Sequence, residues 1–163
     1  MEEKYQEFIN RVKDVVSNAD IPPRYKPDEW NDKGFNCYAY AMRICMDLRK
    51  WDDRIIPGFL SRGEDNDYVD TEECLLKHFK EDCEVLGLEL SPMTIDEIID
   101  DGYKIAVYIS YDDFHFARQD KNGQWSHKRG WARYVEILKE EDIPRKMKKY
   151  RYLGVFKVSK KKS

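Results

Sequence analysis

The chain opens on an apolar stripe. Tyr5, Phe8, Ile9, Val12, Val15 and Val16 follow one another at spacings of 3, 1, 3, 3 and 1. That periodicity predicts an amphipathic helix over residues 3–17. Ile21-Pro22-Pro23 ends it and begins an extended segment, because proline disfavours helix in the residue before it. Residues 24–36 are polar and turn-like, with Pro27, Asn31, Asp32, Gly34 and Asn36. From 37 to 49 apolar side chains occupy more than one helical face, which predicts a second, largely buried helix. Pro57-Gly58 marks a turn, and 61–70 reads as an exposed acidic loop. Asp70-Thr71-Glu72-Glu73 resembles a helix start, with acids at the positive end of the helix dipole, and a third helix runs on to about residue 82. Thr94-Ile95-Asp96-Glu97 fits a capping box, with Gly102 closing that short helix.

The second half changes character. Lys104–Tyr111 carries Ile105, Ala106, Val107, Tyr108 and Ile109 and reads as a buried strand. Phe114–Arg118 is a further strand candidate. Asp120-Lys121-Asn122-Gly123 is a turn signal, and Gln124–Lys128 is the returning strand. Tyr134–Lys139 reads as a short helix and Tyr152–Val158 as a final strand. Helices come first and a mostly antiparallel sheet follows, an α+β architecture. The 163 residues contain no internal repeat and no linker, so one domain is expected over 1–163.

Composition narrows the function classes. Lys plus Arg is 29 and Asp plus Glu 32, a balance that argues against a nucleic-acid partner held by bulk charge. Charged residues make up 37 %, but with 13 % aromatics the chain is too rich in core-forming side chains to be a disordered polymer. No run of about 18 apolar residues offers a membrane span. The start Met1-Glu2-Glu3-Lys4-Tyr5 lacks the pattern of a signal peptide, so the expected location is cytoplasmic as synthesised, with a non-classical delivery route left open. The tail Lys160-Lys161-Lys162 is too short to change this picture.

Four cysteines stand at 37, 45, 74 and 83, none in C-x-x-C spacing. A zinc ribbon or thioredoxin-type motif is therefore not expected, and reduced thiols are. Cys37 lies where the polar segment gives way to the second helix. A thiol there faces the positive end of the dipole, which favours thiolate. Two of the three histidines, His115 and His127, flank the Asn-Gly hairpin, so a suitable register makes them neighbours on two strands. A Cys at a helix start with a His on a sheet is the arrangement that thiol catalysis needs. Cys45, Cys74 and Cys83 read as buried filler. Cys74, in the first turn of the third helix, competes with Cys37 on dipole grounds but has no evident histidine partner.

Asn36-Cys37-Tyr38-Ala39-Tyr40-Ala41, then Phe114-His115-Phe116-Ala117-Arg118, then Trp125-Ser126-His127-Lys128, resembles the papain-like cysteine hydrolases, and among them the NlpC-type endopeptidases. The resemblance spans roughly residues 31–130 and rests on the order Cys, His, His and on the hairpin spacing. It implies a papain-like α+β fold with N-terminal helices packed on the sheet. It implies Cys37 as nucleophile, His115 as base and His127 as the orienting residue, with no cofactor and no metal. The implied activity is hydrolysis of an amide or isopeptide bond in a peptide or amide-containing substrate, with neither nucleic acid nor membrane as partner. This chain has Asn36-Cys37-Tyr38 where cell-wall enzymes commonly have Asp-Cys-Ser, which points away from a cell-wall substrate.

Several alternatives stay open at this level. Asp120 competes with His127 for the third role, although its turn is expected to aim it at solvent. Asn31 is a candidate oxyanion donor or a plain turn residue. Trp30, Trp51, Trp125 and Trp131 line a groove or pack the core. Glu64-Asp65-Asn66-Asp67 is a solvated loop or, against its spacing, a calcium site. The same fold without catalysis is a binding module, with a different acceptor it is an acyltransferase, and Cys plus two His is also a partial zinc set.

Overall fold

A computed structural model describes residues 2–31, 33–49, 55–63, 71–129, 132–144 and 149–162. The helices are α1 (Glu2–Asn18), α2 (Cys37–Ala41), α3 (Phe59–Arg62) and α4 (Glu72–Val85). The strands are β1 (Leu88–Met93), β2 (Tyr103–Ile109), β3 (Phe114–Gln119), β4 (Trp125–His127), β5 (Glu136–Leu138) and β6 (Arg151–Lys160). They form one antiparallel sheet in the order β1-β6-β2-β3-β4-β5. The class is α+β, as the segregation of elements along the chain implies.

The sheet buries both faces. On one, Phe8, Ile9, Val12 and Val16 of α1, the whole of α2, and Leu75, Phe79 and Cys83 of α4 pack over Ile105, Val107 and Phe116. On the other, Ala106, Tyr108, Ala117, Trp125 and Val155 form a smaller cluster closed by Ile143. This explains why β2 is buried at all seven positions and reads as a continuous apolar run. The last strand inserts between β1 and β2. Where β6 passes Val107 and Tyr108 the register shifts by one residue, a bulge at which Gly154 takes φ 143°.

Four expectations are corrected. The second helix stops at Ala41 instead of running to 49. Arg43 adopts φ 65°; its N–H bonds the Tyr40 carbonyl, and the Ile44 N–H bonds the Ala39 carbonyl. These two bonds form a Schellman end with arginine where glycine is usual. The Arg43 side chain explains the choice. Its guanidinium is buried and donates to the carbonyls of Val16, Ala19 and Asp20, at the negative end of α1. At Thr94, Glu97 does reach back to the Thr94 N–H at 3.0 Å, but no helix follows. That segment is exposed, with Ile98 97 % accessible, so it offers no apolar face to hold a helix. Gly102 instead lies against the Val158 carbonyl at φ 84°.

The third correction is at Tyr134–Lys139, where the chain forms strand β5, because the open edge of β4 offers backbone partners to residues 136–138. Fourth, residues 61–70 do not begin as a loop, since Ser61 and Arg62 end α3. Residues 64–70, with the acidic run Glu64-Asp65-Asn66-Asp67, lie outside the described residues. Strand β1, which contains Pro92, sits at the sheet edge, where a missing N–H costs no ladder bond. Among the described residues no helix is long and apolar enough to cross a membrane.

Candidate active site

Cys37 is the first residue of α2. Asn36 caps that helix, its side-chain oxygen accepting the Ala39 N–H at 2.9 Å while its amide donates to the Ile55 carbonyl at 2.9 Å. Both ends of the Asn36 side chain are thus used, and the entry to the helix is fixed. Tyr38 and Tyr40 anchor α2 to the rest of the fold. Tyr38 donates to Asp82 Oδ2 at 2.7 Å, and Asp82 also accepts from the Gly58 N–H, the Ser61 N–H and the Ser61 hydroxyl. Burial pushes the Asp82 carboxyl upward, and these donors oppose that shift.

Cys37 is 5 % exposed, and its thiol lies by the backbone N–H groups of Tyr38 and Phe116. The expected thiolate does not form at rest. Burial pushes the thiol up to about 12, over the opposing pull of those two N–H groups and of Lys128. A helix of five residues has too short a dipole to reverse that cost.

His115 and His127 are brought together. His115 Nε2 lies 2.7 Å from His127 Nδ1, with the rings perpendicular. His115 stands on the face of β3 opposite to Phe114, Phe116 and Arg118, which face α2. Tyr108 and Tyr150 flank its ring at 6.0 and 5.8 Å. Burial, with the charge of Arg129 and the second imidazole, lowers His115 to about 3. His127 is lowered by burial too, with Glu136 pulling the other way. Its Nε2 is 3.7 Å from Glu136 Oε2, in ion-pair range but beyond hydrogen-bond length, and is without a hydrogen-bond partner among the described residues.

No hydrogen bond joins Cys37 to either histidine among the described residues. The thiol instead touches β3 at Phe116, the residue next to His115. Among the described residues β4 pairs with β3 at Arg118 and Gln119.

Asp120 is not aimed at solvent. It is buried; its carboxylate accepts Arg118 Nε at 2.9 Å and the Ser126 hydroxyl at 2.6 Å, and Ser126 in turn meets the Tyr40 hydroxyl at 2.6 Å. Arg118 also donates to the Tyr40 carbonyl and lies over the Tyr40 ring at 3.9 Å. This buried network ties α2 to β3 and β4 on the face away from His115, and leaves His127 as the hydrogen-bond partner of His115. Sequence reasoning missed it, since the hairpin register brings 118, 120 and 126 together but only the packing of α2 on the sheet adds Tyr40.

Asn31 closes a 3-10 turn (Pro27–Trp30), its N–H bonded to Asp28, and is exposed. Trp30 packs on Phe35 and Tyr40, and Trp125 is fully buried; Trp51 and Trp131 lie outside the described residues. Cys83 is core filler, as expected. Cys45 falls beyond the helix, half buried, donating to the Glu29 carbonyl. Cys74 does have a histidine: His78 Nε2 is 3.6 Å from its sulfur. The i, i+4 spacing was the available signal. No group of three or more His, Cys, Asp or Glu side chains able to hold a metal occurs among the described residues.

Residues 27–154 match the model of a family described as a domain of unknown function, DUF7689, and the chain belongs to that family. No curated protein and no solved structure matches the chain.

Proposed function

We propose that the chain is a papain-like thiol hydrolase that cleaves an amide or isopeptide bond through an acyl-enzyme, with Cys37 as nucleophile, His115 as base and His127 as its positioning partner. The 2.7 Å contact between His115 Nε2 and His127 Nδ1 carries this reading. It engages one nitrogen of the base and leaves Nδ1 for the thiol proton. With His115 protonated on Nε2, His127 accepts on Nδ1 and carries its own hydrogen on Nε2, toward Glu136. The order of proton-bearing groups then runs from thiol to carboxylate without conflict.

With the thiol raised to about 12 and His115 lowered to about 3, both are neutral at rest. Proton transfer from sulfur to His115 Nδ1 must therefore accompany attack on the carbonyl. The bound proton then passes to the leaving amine, the C–N bond breaks, and water releases the acyl group. The Cys37 backbone N–H, at the first position of α2, has no partner within the helix and serves the oxyanion.

The burial of Cys37 favours a second reading, a papain-like module that binds without catalysis. A peptidyl vinyl sulfone with the labelled residue located by mass spectrometry separates the two. Labelling of Cys37 in the native protein, lost in His115→Ala, is expected. Absence of labelling, or labelling indifferent to His115→Ala, turns the assignment to the binding module.

A further inference from the structure

Cys74 and His78 form a second thiol–imidazole pair, on α4 and apart from the Cys37 site. His78 is buried, and its Nδ1 lies 3.3 Å from the Pro57 carbonyl oxygen. A carbonyl only accepts, so Nδ1 must carry the hydrogen and donate it. The tautomer is thereby fixed, and Nε2 is left as a bare lone pair. That lone pair faces the Cys74 sulfur at 3.6 Å, so the thiol donates its proton to it. Cys74 also lies in the first turn of a 14-residue helix, behind the Thr71 cap, where the dipole favours negative charge on sulfur. Unlike Cys37 and Cys83, it is part-exposed.

We propose that Cys74 is a site of two-electron oxidation by hydroperoxides, with His78 as its base. The thiol proton moves to His78 Nε2 as sulfur attacks the terminal oxygen of the peroxide. An S–O bond forms and the O–O bond breaks. Sulfur is oxidised to the sulfenic acid, the peroxide is reduced to an alcohol or water, and the proton on His78 passes to the departing oxygen.

The test is hydrogen peroxide followed by dimedone on the full chain, with adducts located by mass spectrometry. Cys45, also part-exposed, is the internal comparator. Cys74 is expected to carry the dominant adduct, and His78→Asn, which keeps a donor for Pro57 but removes the base, to slow it about tenfold. Equal or faster capture at Cys45 overturns the proposal, as does an unchanged Cys74 rate in folded His78→Asn. If that variant does not fold, the ranking of Cys74 against Cys45 in the unmodified protein decides alone. Neither result depends on Cys37, whose labelling is read at a different peptide.

Discussion

His115 Nε2 and His127 Nδ1 stand 2.7 Å apart across two strands, so one hydrogen serves both rings. One ring must donate and the other accept. The arrangement that also directs a hydrogen from His127 Nε2 toward Glu136 leaves His115 Nδ1 bare. This relationship gives the candidate site its direction.

Replacing His127 tests it. His127→Ala removes the acceptor for the His115 Nε2–H and frees the ring to turn. Labelling of Cys37 by the vinyl sulfone is expected to slow about a hundredfold. His127→Gln, whose carbonyl still accepts, should restore part of the rate. Equal rates in both variants would reduce His127 to a packing residue.

The His115 shift has a sign in stability. Its folded value, about 3, lies below the ordinary 6.5. Between those values the unfolded chain binds a proton that the folded chain refuses. The contribution is whole above pH 6.5 and is lost as pH falls towards 3. Asp82 and Asp120, raised by burial, act in the opposite sense at the acid end. The comparison therefore needs His115→Gln: thermal melts from pH 7 to 4 should fall less steeply in the variant than in the unmodified protein.

Asp82 gathers four donors in the core. Asp82→Ala leaves all of them unpaired and is expected to cost about 3 kcal/mol by urea denaturation. Asp82→Asn retains one acceptor but turns an NH2 group toward donors, and should fall between the two.

Arg43 separates backbone strain from side-chain bonding. Both Arg43→Gly and Arg43→Ala lose the contacts to the end of α1, but only glycine accepts φ 65° freely. The alanine variant should be less stable than the glycine variant by about 1 kcal/mol. Equal stabilities would show that the α2 end relaxes when the arginine is removed.

Local pattern alone determined much of this molecule. The apolar stripe of α1, the Thr71 start of α4, the apolar run of β2 and the turn before Gln124 are short-range features, set by periodicity, capping and φ preferences within a few residues. The α+β class and the meeting of His115 with His127 follow from them, because a hairpin register links nearby positions. Tertiary structure decided the rest. It ended α2 at Ala41, since Arg43 is held by carbonyls 23 to 27 residues away along the chain. It made a strand of 136–138 through the free edge of β4, and put β6 beside β2. It also reversed the electrostatics of the candidate site. A helix start by itself favours a thiolate, but the solvation that Cys37 loses depends on everything packed around it, and that loss outweighs the dipole of a five-residue helix.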